Sequence, residues 1–132
     1  MRILTDHIVS GDSPDNQLSI TVIDEPGAGG ANHRYEITGF DMAGNPSFQG
    51  DGSRTNALIL FQNGTIREVG VNGVTQEALL AIVIDRLKSF QAGPFACQAN
   101  AKALTCVMDA LDQLQARTRD RIARGVEGLN KS

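Results

Sequence analysis

VTQEALLAIVIDRLKSFQAGPFACQANAKALTCVMDALDQLQARTRDRIARG, residues 74–125, is the stretch that decides the fold. Thr75 stands where an N-cap is needed, and Glu77 sets a carboxylate against the positive end of the helix dipole. Leu79, Leu80, Val83, Ile84, Leu87 and Phe90 follow at helical spacing, which predicts a helix over about 75–90. Gly93-Pro94 interrupts it, with Pro suited to open the next helix. Leu104, Met108, Leu111, Leu114, Thr118 and Ile122 then make an apolar stripe that runs to Gly125, placed to end a second helix over about 95–124. A helix of that length spans about 45 Å. This is more than a small sheet can cover, so part of the stripe is expected to need another subunit.

Upstream the period changes. QLSITVID (17–24) and HRYEITGF (33–40) are strand-like, and Pro26, Gly27, Gly29 and Gly30 between them suggest a wide hairpin. A polar, Gly-rich passage over 42–55 carries no periodicity. ALILFQ (57–62) and TIREVGV (65–71) flank Asn63-Gly64, the strongest short hairpin signal in the chain. Four antiparallel strands are expected, the third most buried. The fold class is then α+β: a small antiparallel sheet of about four strands followed by two C-terminal helices, the second long and used in oligomerisation. One domain over 1–132 is expected, with 1–72 mainly β hairpins and 73–132 helical.

Charge narrows the function. Residues 1–60 carry eight acids against three Lys/Arg and residues 61–132 seven against nine, so the halves are −5 and +2 in a chain of net charge −3. With a pI of about 5.2, binding to extended nucleic acid is disfavoured and a local anion pocket preferred. The start, MRILTDHIVSGDS, has no apolar run long enough for a signal sequence, and no run of about 18 apolar residues suggests a membrane span. Cys97 and Cys106, nine apart on one helix, fall on opposite faces and cannot pair; they read as buried small hydrophobes.

The positive charge is concentrated in Arg117, Arg121 and Arg124, at i, i+4 and i+7. Such a ridge of guanidinium forks suits phosphate, while arginines near a helix C-terminus also serve simply to complement the dipole; both readings stand. Phe90 reads either as core or as a base-stacking ring. Asn100 begins an otherwise apolar stripe, so its amide either satisfies backbone at the helix start or reads an adenine edge. The loop EPGAGGANH lacks the Lys-Ser/Thr of a phosphate cradle. Asp24 with Glu25, Asp109 with Asp112, and the isolated His7 and His33 form no recognisable catalytic or metal-binding motif, so no catalytic residues, metal or cofactor are expected.

Phe90, Asn100, Arg117 and Arg121, following Asn72-Gly73 and the ALLAIVIDRL helix, resemble a phage anti-defence family, the first described type of Thoeris anti-defence protein. The resemblance is strongest from about residue 56 to Gly128. It implies a sponge that binds cyclic ADP-ribose isomers made by TIR proteins without cleaving them, in the cytoplasm of an infected bacterium. It further implies homo-oligomers, hexamers built as trimers of dimers, and cyclic trinucleotide binding at separate sites in some members. On it, Phe90 would stack on adenine, Asn100 would hydrogen-bond to the ligand, and Arg117 and Arg121, with Arg124 beside them, would hold phosphates. Asn100 and Arg117 stand about 25 Å apart on one helix, so a single small ligand that uses both needs two subunits. The competing classes are an enzyme that hydrolyses the same nucleotide and a nucleic-acid-binding regulator that uses the arginine ridge.

Overall fold

The computed structural model describes residues 1–9 and 14–125. The chain forms two compact units, Met1–Asn63 and Gly64–Ser132.

The first unit is built on four antiparallel strands in sequence order: β1 (Arg2–Leu4), β2 (Ser19–Val22), β3 (Arg34–Thr38) and β4 (Asn56–Leu60). The pairings Ile20 with Ile37, Val22 with Tyr35, and Tyr35 with Ile59 align one apolar face across the central strands. Val22 is 1% exposed there. The opposite face aligns Ile3, Thr21, Glu36 and Leu58 and is the more open one, as expected of an antiparallel sheet with one buried side. Past the end of β4, Phe61 continues the ladder by donating its N–H to the His33 carbonyl at 2.9 Å, and its ring meets Tyr35 edge-on at 5.6 Å.

The wide hairpin between β2 and β3 is closed by a carboxylate. Asp24 accepts the amide N–H of His33 and that of Arg34, each at 3.1 Å, while the Asn32 side chain donates to the Asp24 carbonyl at 2.6 Å. Burial presses the Asp24 carboxyl upward, but the Arg34 and His33 amides together with the other donors outweigh it and hold it below the ordinary value of 3.8. Asp41 is likewise held low, by the Ala43 amide first and the Ser53 side chain next. Gly39, which follows β3, has φ +96, and a Cβ there would stand 2.0 Å from the Gln17 carbonyl oxygen. No L-residue with a side chain fits that corner.

Two strand expectations are corrected. Residues 65–71 are not a strand: Ile66–Val69 form a single helical turn, α1, after Thr65. A two-residue type I′ hairpin needs positive φ at both central residues, and Gly64 has it (φ 98) whereas Asn63 does not. Gly70, at φ 75, then ends the turn. The fourth strand is β1 instead, three residues too short to carry a periodic signal. Nor is the third expected strand the most buried, because as β4 it lies at the sheet edge and leaves Leu58 and Leu60 about half exposed.

The second unit carries α2 (Gln76–Gln91) and α3 (Gln98–Ala123), which pack together as a helical hairpin. Thr75 caps α2 as expected, its Oγ1 accepting the Ala78 N–H at 3.1 Å. The half-buried positions of α3 are Asn100, Leu104, Val107, Leu111, Leu114, Thr118 and Arg121, alternating steps of four and three. This is a heptad seam. On α2 the matching series is Glu77, Leu80, Ile84, Leu87 and Gln91, with Ile84 9% exposed at its centre. The seam thus takes Val107 and Arg121 where the stripe was expected to use Met108 and Ile122, and those two are exposed.

Both cysteines are exposed thiols, which corrects the expectation that they are buried. Cys97 is the N-cap of α3, where its Sγ accepts the Asn100 N–H at 3.4 Å. Cys106 lies between the seam positions Leu104 and Val107 in sequence and turns away from them. Among the described residues no helix is long and apolar enough to cross a membrane.

Candidate functional site

At the closed end of the hairpin, six residues connect α2 to α3, and side chains tie that connection to both helices. Gln91 Oε1 accepts the Cys97 N–H at 3.0 Å, and Asn100 Nδ2 donates to the Phe95 carbonyl at 3.3 Å. The Asn100 amide therefore does satisfy backbone at the helix start. Since only its nitrogen can donate to a carbonyl, the orientation of the amide is set, and Oδ1 is left as an acceptor that takes no hydrogen bond among the described residues.

Phe90 is not a core residue. The seam passes through Leu87 and Gln91, leaving Phe90 beside it and 39% exposed. Its ring has one neighbour that sequence reading missed: the Arg86 guanidinium carbon lies 5.5 Å from the ring centroid. A cation four residues before an aromatic on one helix face was the available signal.

The arginines occupy the other end of α3. At 100° per residue, Arg117 and Arg124 lie within about 20° of one another around the helix, and Arg121 turns from them toward the seam. Arg117 is exposed and makes no ion pair among the described residues. Arg121 is half-buried. Arg124 is the C-cap residue, and its Nε lies 3.1 Å from Asp120 Oδ2 in a pair open to solvent. Such a pair is worth about 0.3–0.5 kcal/mol, and it gives this arginine a local partner on its own helix. Arg119 and Asp112 approach to 3.7 Å on the same helix.

Within the hairpin, then, Phe90 and Asn100 flank the turn, whereas Arg117, Arg121 and Arg124 stand far along the helix. Asn100 and Arg117 belong to one unbroken helix, and seventeen residues at 1.5 Å each separate them by about 25 Å. Among the described residues no three His, Cys, Asp or Glu side chains gather as a metal site.

A family of known proteins matches the part of the chain that holds this hairpin. The family described as the Acb2/Tad1 hairpin domain matches residues 54–119, half of the sequence. The chain belongs to the Acb2/Tad1 hairpin-domain family. That match holds β4, α1, α2 and most of α3, and with them Phe90, Asn100 and Arg117. A curated relative described as Thoeris anti-defense 1, from Bacillus phage SBSphiJ7, is 47% identical over 75 residues, which are 57% of this chain and 53% of that protein. The chain thus spans about half the length of the curated relative it matches.

Proposed function

We infer that this protein is an anti-defence sponge: it acts against the Thoeris system by binding a cyclic ADP-ribose isomer and withholding it, with no bond broken. The observation that carries this reading is the pairing at the hairpin turn. An aromatic ring stands outside the core at Phe90, and beside the same turn the Asn100 Oδ1 is held as an acceptor. A ring offers a face to adenine, and a fixed acceptor suits the exocyclic N6–H donors. Family membership and the name of the phage relative support the assignment.

Phosphate would be held by Arg117 and Arg121, with Arg124 at the edge. Because Arg117 lies about 25 Å and Arg121 about 31 Å from Asn100 along one helix, the pocket is read as composite: the turn of one copy faces the arginines of a second, with the long helices antiparallel. Such a twofold contact is isologous and makes two equivalent pockets per dimer. Apolar side chains exposed on the hairpin, among them Ile82, Val83, Met108 and Ile122, are available to such a contact. A hexamer made of three such dimers, and a separate cyclic trinucleotide site, are further properties that the family resemblance implies.

Sequestration demands binding alone. Outcompeting an effector by each factor of ten takes about 1.4 kcal/mol, and one stacked base contributes about 1–3 kcal/mol. The test is to load the protein with glycocyclic ADP-ribose, remove unbound ligand, denature and identify what is released. Intact ligand near one equivalent per chain supports the sponge, linear ADP-ribose makes the protein a hydrolase, and no retained ligand overturns the reading. Steeply salt-dependent binding of unrelated oligonucleotides in its place would indicate a nucleic-acid regulator.

A further inference from the structure

Phe90 and Arg86 stand one helical turn apart on α2, with the guanidinium carbon 5.5 Å from the ring centroid. Among the described residues Arg86 makes no ion pair and no hydrogen bond, and the residues one turn before and after it are Ile82 and Phe90. The ring is therefore the group that this cation rests on. Phe90, for its part, lies off the α2–α3 seam.

We propose that Arg86 is a positioning residue of the ligand site: its guanidinium holds the Phe90 ring by one face, so that the opposite face alone is presented to a purine base. This rests on the reading that Phe90 stacks on the base of the ligand. An exposed phenylalanine exchanges among staggered rotamers, and freezing it when a ligand arrives weakens binding. A guanidinium over one face lowers that cost because the cation draws on the ring quadrupole. It has a second consequence. With one face occupied, the ring takes a single base and cannot be sandwiched between two, which sets one stacked purine per Phe90.

A double-mutant cycle separates this role from direct ligand contact. Affinity for glycocyclic ADP-ribose is measured by calorimetry for the full chain and for Arg86→Ala, Arg86→Lys, Phe90→Leu and Arg86→Ala/Phe90→Leu, with thermal melting of each as a control. Arg86→Ala is expected to weaken binding about two- to fivefold, the factor that a cation–π contact of about 0.5–1 kcal/mol gives. In the Phe90→Leu background it should change nothing, and Arg86→Lys should keep part of the affinity. In the ligand-free protein, the Arg86 δ-protons should show an upfield ring-current shift that Phe90→Leu abolishes; in the unmutated chain this shift can be read even if a variant fails to fold. Equal losses from Arg86→Ala in both backgrounds would overturn the positioning role and make Arg86 a direct ligand contact. Unchanged affinity in Arg86→Ala while Phe90→Leu binds poorly would overturn the inference and leave the stacking reading standing. An unchanged affinity in Phe90→Leu would remove the stacking reading, and the inference with it.

Discussion

At Phe90 the competing demands of core and ligand separate cleanly, because the side chain sits one position away from the buried seam. Removing it should therefore cost binding and spare the fold. Phe90→Ala is expected to weaken glycocyclic ADP-ribose binding by roughly tenfold or more, in line with a stacking contribution of about 1–3 kcal/mol, while its melting temperature stays close to that of the parent; a variant that unfolds would return Phe90 to the core. Asp24 sets a second expectation at this scale. Its carboxyl is held below 3.8 in the folded hairpin by the Arg34 and His33 amides acting against burial, so the folded state binds a proton there less readily than the unfolded chain. That difference contributes stability above pH 3.8, and the contribution is lost as the pH falls through the lower folded value. Asp41 acts in the same sense. Acid titration followed by circular dichroism should show Asp24→Asn less sensitive to pH below 4 than the parent, and equal sensitivity would mean that the carboxylate does not close the hairpin.

Helices and strands were legible to different degrees, and the reasons are physical. Thr75, Glu77 and Gly125 mark the start of α2 and the end of α3 because caps act locally, and Gly93-Pro94 breaks the chain between them; Pro94 does not open α3, which starts at Gln98 behind the Cys97 cap. The exact seam was less legible: Met108 and Ile122 are apolar and one position away from Val107 and Arg121, and periodicity of composition does not say which of two adjacent stripes a partner helix will cover. Strands failed differently. Asn63-Gly64 has the composition of a hairpin turn, yet with Asn63 outside positive φ the chain turns into α1, while β1 is fixed by its pairing to β2, a long-range contact with no local signature. Of the candidate site, Asn100 was visible as an amide opening an apolar stripe, whereas Phe90 fitted the stripe of its helix and was singled out by the family resemblance; Arg86 was passed over because a charged residue on an exposed helix face is ordinary. The seam itself is testable. Ile84→Ala should cost about 2–4 kcal/mol as a buried truncation, a loss that denaturant melts check; a change within about 0.5 kcal/mol would displace the seam.

On the scale of the molecule, one length decides the account. With twenty-six residues against sixteen, α3 is about 15 Å longer than α2, and Arg117 and Arg121 lie toward its far end. If Phe90 and Asn100 serve the same ligand as Arg117 and Arg121, a second copy must bring the two ends together, so light scattering at micromolar concentration should find no 14 kDa monomer. The most direct test of this composite pocket mixes two defective proteins, Phe90→Ala/Asn100→Ala and Arg117→Glu/Arg121→Glu, each expected to bind glycocyclic ADP-ribose poorly or not at all. In a mixed dimer one pocket regains all four native side chains and the other gathers every defect. Calorimetry on co-refolded mixtures, with mixed dimers verified by native mass spectrometry, should then recover about one strong site per mixed dimer; verified mixed dimers that remain inert would contradict a pocket shared between copies.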